Sequence, residues 1–448
     1  MPKPPSSLID ATNKPPQTRG TTTQLRKLLP FIWNVTASIA NQGSTVAINI
    51  FIVRLSSIHV FGRYAAVQAA VLALASIMQL SAWFTATKFT AELVDTDRHR
   101  LEQVLGLLLI VAIVSGGIGT IGLFVSSSWY AETVLASPDL ARGIMLASGF
   151  VVCTVINSFQ AGTLLGCGAI GTYAKSSIIL VPFVVLLPIA GLAAAGESGA
   201  LAGLTLGALL RCVVTQWILQ RELALRKLQI RYGHFAENAA VVWHFSLPAS
   251  ANGLTNAGAT WIVSILIVQT VGGFKNIALY SAVATLKTLI LFIPYQINNV
   301  AITLINRASG AEPTRRRSLF WRNLIVLVGL TAACAAPMIL FASQVIQIYS
   351  RAFIEGSVLL RIYMIGAIGE ALSFALMQYF SAGKRLWKPL VFGGIPRDVS
   401  FVLLSYIFLR AMGINGVGVA YLASWSACSV GYAALIAQEN RHAKFFKT

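Results

Sequence analysis

Five polar residues, Asn34, Ser38, Asn41, Thr45 and Asn49, recur at intervals of three or four through an otherwise apolar run. That spacing puts them on one face of a helix. A second apolar run carries Asn252, Asn256, Thr260 and Ser264, one every four residues, again on one face. At membrane depth such groups must meet a partner helix or water. Two readings follow. Amides and small hydroxyls can hold helices together, or they can line a wet cavity and exchange hydrogen bonds with a hydroxyl-rich ligand. The second reading makes Asn34, Asn41 and Asn256 binding candidates.

The ionisable residues inside apolar runs are fewer and sharper. Lys287 and Arg397 each lie about nine or ten residues into a membrane-length run, near mid-bilayer at a rise of about 1.5 Å per residue. Arg211 and Lys88 lie in two further runs, and Glu370 is the carboxylate set deep in its own run. A lone Lys or Arg at that depth costs about 2.5–3.5 kcal/mol on insertion scales, so it calls for an ion pair, a wet cavity or a ligand charge. Asp398 adjoins Arg397, but neighbours on a helix point apart, which predicts poor self-pairing. Lys287 and Arg397 are therefore expected to face a shared cavity. For Arg211 and Lys88 a structural pair or snorkelling is the preferred reading over ligand contact. Bases outnumber acids at depth, which predicts a cationic, amide-lined cavity suited to an anionic, hydroxyl-rich ligand. Glu370 is the expected coupling carboxylate if transport is driven by protons or sodium.

Other chemistry is missing from the pattern. The five histidines show no metal-ligand spacing. The glycine-rich stretch from Gly162 to Gly171 lacks the Lys-Ser/Thr ending of a phosphate loop and reads as a turn between spans. The five cysteines, in or beside apolar runs, read as packing residues. No catalytic residue, metal site or cofactor is predicted.

The elements that must position these residues are membrane helices. Hydrophobic residues form 56% of the 448 and charged residues 11%, well below the quarter usual in soluble domains. The longest loop, roughly 221–240, is too short for a catalytic domain. Apolar windows predict about twelve spans, near 30–54, 64–93, 102–126, 141–164, 173–195, 199–220, 241–268, 277–304, 320–347, 356–380, 388–410 and 414–436. The fold class is thus an all-α polytopic membrane protein with two six-helix lobes. An internal echo supports the division: residues 41–54 align without a gap to 256–269, matching Asn, Gly, Thr, Ile, Ile and Val, and Tyr64 then falls on Tyr280. Such duplication places a transporter's substrate site between two halves. The predicted domains are a disordered tail at 1–28, lobes at 29–220 and 241–437, a linker at 221–240 and a tail at 438–448. With the N-terminus inside, cytoplasmic segments hold 23 of the 34 Lys and Arg and external ones 7, which orients both termini to the cytoplasm. The net charge of +19 then faces anionic lipid, with no nucleic-acid partner required. The first 25 or so residues lack the apolar core of a signal peptide.

Certain motifs are shared with a known family. Val53-Arg54-Leu55, Phe61-Gly62-x-Tyr64-Ala65 and Ala86-Thr87-Lys88-Phe89-x-Ala91-Glu92 resemble the opening of bacterial polysaccharide and O-antigen flippases and exporters, as does Asn34 with Gly43. Gly166-Cys-Gly168-x-x-Gly171-x-Tyr173-Ala174 is similar to that family's turn between the fourth and fifth spans. Phe245-Ser-Leu-Pro248, Leu279-Tyr280-x-Ala282 and Phe292-Ile-Pro294 are similar to its seventh and eighth. The family lies in the multidrug/oligosaccharidyl-lipid/polysaccharide exporter (MOP) superfamily. The resemblance covers most of the chain and implies two lobes in a V around a central cavity. It also implies alternating access, with polyprenyl-pyrophosphate-linked oligosaccharide moved to the outer leaflet of a bacterial inner membrane, and glycan polymerase or export machinery as possible partners. The sequence departs from the family at Ile302-Thr303-Leu304-Ile305-Asn306, where Pro-x-x-Ser is usual. A drug or small-solute antiporter of the same superfamily is the alternative. A membrane glycan polymerase or glycosyltransferase is a third reading, disfavoured because the external loops are short.

Overall fold

The computed structural model describes residues 20–233, 237–238, 241, 246–308, 313–381 and 389–445, without the side chains of 20–32, Asn34, 248–249, Asn252, 299–308, 313–317, Ser381 and 439–445. The long helices are α1 Gly20–Leu55, α2 Ile58–Met78, α3 Ala82–Leu93, α4 Arg98–Val125, α5 Ala141–Gly166 and α6 Ile170–Leu225. They continue with α7 Leu247–Val268, α8 Gly273–Ala308, α9 Pro313–Leu340, α10 Ser357–Ser381, α11 Ile395–Met412 and α12 Ile414–Phe445. Among the described residues, nine helical segments are long and apolar enough to cross a membrane, and Gly253–Val268 within α7 is a shorter apolar helix. One of the nine, α6, is two crossings. Its backbone leaves helical geometry at Ala195 and Gly196, where Gly196 takes φ +60°, a conformation that costs glycine little. Its two halves then fold together, with Gly191, Gly199 and Gly203 against opposing backbone. With α1, and with α2 and α3 as one broken crossing, about twelve spans result, in the two-lobed arrangement expected.

Three boundaries differ from the sequence reading. α1 is already helical from Gly20, inside the segment expected to be tail, and residues 1–19 lie outside the described set. The second span, expected as one helix over 64–93, is interrupted: Leu80 and Ser81 both take left-handed φ, 43° and 55°. The linker is partly bound. α6 runs on to Leu225, and the following chain lies along α4. There Arg231 pairs with Glu102 at 2.7 Å, Gln229 N donates to Glu102 Oε1 at 2.8 Å, and Gly106 leaves room for the Arg231 carbonyl. Residues 234–236 and 239–240 of the linker, and 242–245 at the start of the second lobe, are outside the described set.

The core is helix against helix. Tyr64, Phe61, Ile52 and Leu105 are fully buried, whereas Ile118, Ile121, Val125, Ile179 and Trp217 stand out from the bundle. Large apolar side chains on the outside are what a lipid-facing surface requires. α3 lies close on α5 through glycines: a Cβ at Gly162 would stand 2.4 Å from the Trp83 carbonyl oxygen. The two halves of the chain meet through α1 and α2 on one side and α7 and α8 on the other, which are the helices that carry the echo.

Candidate functional site

Four helices enclose a cavity of about 690 Å³. α1 contributes Gln42, Thr45 and Asn49, and the end of α2 with the break after it contributes Gln68, Ser76, Gln79 and Ser81. α7 contributes Asn256, Thr260, Trp261 and Ser264, and α8 contributes Tyr280, Ser281, Thr285 and Thr288. The described lining residues are amides, hydroxyls, aromatics and aliphatics, none carrying a charge.

One end of the cavity is sealed by contacts between the halves. Arg54 donates from Nε and Nη2 to the Ile348 carbonyl, at 3.1 and 2.8 Å. Phe61 packs on Tyr349 and Phe353, with ring centroids 6.5 and 6.1 Å apart. α2 and α8 approach so closely at Gly62 that a Cβ there would lie 1.8 Å from the Phe274 carbonyl oxygen. Trp261 Nε1 donates to Tyr130 Oη at 2.9 Å, with the two rings stacked. Arg63 anchors this end. It pairs with Asp139, in the turn Pro138–Leu140, and with Glu197 at 2.6 Å, and it lies over the Phe274 ring. Hydrogen bonding from Arg63 holds the Asp139 carboxyl below the ordinary carboxylate range.

The sequence candidates distribute unevenly around this cavity. Asn256 lines it. Asn41 does not: its Oδ1 accepts from Arg211 Nη2 at 3.1 Å, so two candidates meet each other on the α1–α6 side. Thr45 and Asn49 of the expected α1 stripe do line the cavity, with Gln42 there in place of Asn41. Asn49 is buried and donates to Thr285 Oγ1 across the α1–α8 contact at 3.1 Å. Lys88 lies over the Phe89 ring. The Asn34 side chain is outside the described set.

Lys287 and Arg397, expected to face the cavity, are not among its lining residues. Thr285 and Thr288 of α8 line it, and Lys287 is turned about 100° from Thr288, toward α10 and α12. Its Nζ is 3.1 Å from Glu370 Oε2 and sits over the Tyr421 ring. Glu370 also accepts from Tyr295 Oη at 2.7 Å and from Tyr421 Oη. Arg397 and Asp398 do pair, against the expectation from their adjacency. Arg397 Nη2 and Nε reach Asp398 Oδ1 at 2.6 and 2.8 Å. The long guanidinium arm folds back on its neighbour, held by stacking on Trp425, with the guanidinium carbon 4.3 Å from the ring centre. Asp398 lies in the first turn of α11, where the helix dipole favours a carboxylate. Asn256 Nδ2 reaches Asp398 Oδ1 at 3.4 Å, so the cavity wall touches this buried pair. Where a cationic cavity was expected, the described lining is neutral and backed by two compensated ion pairs.

Sequence reading missed the α2 and α8 lining. A signal was available: Ser281, Thr285 and Thr288 repeat at four and three, and Gln68, Ser76 and Gln79 at eight and three. Both patterns mark single helical faces.

No protein-family model matches the chain. The EPS I polysaccharide export inner membrane protein EpsE of Ralstonia nicotianae is 20% identical over 411 residues, covering 90% of this chain and 92% of its own. That of Ralstonia solanacearum is 22% identical over 399 residues, covering 87% and 88%. Among solved structures, an inward-facing conformation of a multidrug resistance MATE family transporter of the MOP superfamily matches with TM-score 0.74 at 17% identity, over 92% of this chain and 96% of that one. An outward-facing conformation of such a transporter matches at 0.68 and 18%, over 96% and 98%. A MOP superfamily transporter from Pyrococcus furiosus matches at 0.68 and 16%, over 90% and 94%. The chain shares the MOP-superfamily fold, and its curated matches are polysaccharide export proteins of the inner membrane.

Proposed function

We propose that this chain, similar to polysaccharide export inner membrane proteins and built on the MOP fold, moves a polyprenyl-pyrophosphate-linked oligosaccharide across the bacterial inner membrane. Lobes at 29–220 and 241–437 would rock about the cavity between them, with both termini cytoplasmic. The observation that carries the reading is a cavity between the halves, sealed at one end and lined by amides and hydroxyls from four helices. On the positive-inside orientation the sealed end would be the outer one, and the cavity would then open toward the cytoplasm in an alternating cycle. A volume of about 690 Å³ falls in the small-molecule range of about 300–1,000 Å³. That suits a repeat unit of a few sugars better than a finished polymer. The prenyl tail can stay in lipid throughout.

The pyrophosphate belongs elsewhere in this scheme. Lys287 and Arg397 are already neutralised, and a pyrophosphate would have to displace Glu370 or Asp398 to use them. We assign it to the Lys- and Arg-rich end of the bundle, where Arg98, Arg226 and Lys227, three bases to the one acid Asp95, border a separate depression. Glu370 remains the candidate for ion coupling, since protonating it would remove the countercharge of Lys287. The drug-antiporter reading is weaker here, because a cationic drug wants a carboxylate and the described lining residues supply none.

The test is reconstitution. In proteoliposomes carrying a fluorescent polyprenyl-pyrophosphate oligosaccharide, the protein should move the glycan out of reach of an impermeant quencher. Asn49→Cys with Thr285→Cys, oxidised in a background without the native cysteines, should arrest movement, and a reductant should restore it. Movement that continues at the normal rate in the cross-linked protein excludes transport through this cavity.

A further inference from the structure

The lining hydroxyls share an orientation that narrows the ligand. A hydroxyl has one proton to give and two lone pairs. Thr260 Oγ1 donates to the Asn256 carbonyl at 2.9 Å, Ser264 Oγ to the Thr260 carbonyl at 2.8 Å, and Thr285 Oγ1 to the Ser281 carbonyl at 2.7 Å. Thr288 Oγ1 gives its proton to the Ala284 carbonyl at 2.9 Å, and Ser76 Oγ to the Leu72 carbonyl at 2.8 Å. A carbonyl carries no proton, so in each bond the hydroxyl must be the donor. What these side chains have left for the cavity is lone pairs.

The two asparagines add to this. The Asn256 amide nitrogen gives one proton to Asp398, an acceptor, which leaves its carbonyl oxygen and one amide proton for the cavity. Asn49 gives an amide proton to Thr285, and its Oδ1 is buried without a hydrogen-bond partner. The Trp261 proton is already taken by Tyr130. The described wall is therefore uncharged, and at these positions it offers acceptors, with the Gln42 and Gln79 amides beside them carrying donors and acceptors alike.

We infer that the group received in this cavity is an uncharged, hydroxyl-rich oligosaccharide, and that glycans bearing carboxylate, sulfate or phosphate substituents are selected against. This rests on the translocation reading above and names its substrate class. Sugar hydroxyls donate to lone pairs and satisfy the wall. The exposed face of Trp261 offers an apolar platform for the ring carbons. A carboxylate is acceptor-only. It would meet those lone pairs with no fixed cation among the described lining residues to neutralise it, and a buried charge so placed is strongly disfavoured. An ammonium group would find acceptors but no countercharge among the described lining residues.

Selectivity is read by comparing three lipid-linked tetrasaccharides in the same proteoliposomes: all-neutral, one with a single uronic acid, and one with a single free amine. The neutral glycan should move at least tenfold faster than the uronate, with the amine also slower. Thr288→Lys should narrow or reverse the neutral-to-uronate ratio, a gain that a misfolded variant cannot produce. Equal rates for neutral and uronate glycans overturn the inference and leave translocation standing. If none of the three moves, the translocation reading fails, and binding decides the inference separately. Free neutral oligosaccharide should quench the tryptophan fluorescence component that Trp261→Phe removes, and the uronate should not. Equal quenching by both overturns it.

Discussion

Replacing Gly62 by alanine should open the sealed end. A Cβ at this position would stand 1.8 Å from the Phe274 carbonyl oxygen and 2.6 Å from the carbonyl carbon, and ordinary contact begins at 3.4 Å. The obstacle is backbone, so no side-chain rotation relieves it. α2 and α8 must separate until the gap grows from 1.8 to about 3.4 Å. The neighbouring Phe61–Phe353 and Arg63–Phe274 contacts lie at the same crossing and loosen with it. Overpacking of this kind costs about 1–3 kcal/mol, which shifts an equilibrium by roughly 5–150-fold. The assay places a single cysteine at Thr285 and labels it from the sealed side with a membrane-impermeant maleimide. Labelling should run at least about fivefold faster in Gly62→Ala, within that energy range. Gly43→Ala is the control, because a Cβ there meets nothing within 4 Å, and it should label at the parent rate. Unchanged labelling in a folded Gly62→Ala protein would refute the close crossing as part of the seal.

Three further perturbations follow from the buried charges and the clamps. Lys287→Met should cost about 3–5 kcal/mol by stranding Glu370, seen as a lower melting temperature in detergent. Adding Glu370→Gln should recover much of that, and strictly additive losses would show that the two residues are not coupled. Glu102→Ala removes the acceptor of both Arg231 and the Gln229 amide and should cost about 1–3 kcal/mol, with faster tryptic cleavage within 226–231; an unchanged cleavage rate counts against the clamp. The Arg63–Asp139 contact has a definite pH sign. The folded carboxyl is held below its ordinary 3.8, so the contact is intact at neutral pH and is lost only as the pH falls below that value. Asp139→Asn should bring the loosened sealed end, read by the same labelling, up to neutral pH.

The span pattern and the polar stripe on α7 were legible because both are periodic within one element. The stripe on α1 was legible at Thr45 and Asn49 and missed at Asn41. A helix face is broad, and whether Asn41 or Gln42 points inward depends on the placement of α6, whose Arg211 takes Asn41. The partners of Lys287 and Glu370 are 83 positions apart, and no spacing rule reaches that far. Depth located these charges correctly as costly, and the fold answers the cost with ion pairs where the sequence reading expected a ligand. Adjacency misled for Arg397 and Asp398, since the rule that neighbours diverge neglects how far an arginine can fold back. The break at Leu80 and Ser81 left no trace because neither residue is glycine or proline, the usual marks of such a turn.

The Asn256 amide serves two environments at once, the cavity and the Arg397–Asp398 pair. Thermodynamic reciprocity then applies. Any ligand that draws this amide away from Asp398 leaves that carboxylate to Arg397 and changes its affinity for a cation. A cation arriving at Asp398 must, by the same factor, change the affinity of the cavity for its ligand. The two events need no moving lever between them, because one side chain, Asn256, borders both. Titrating one while measuring the other gives the coupling factor from either direction, and the two values have to agree.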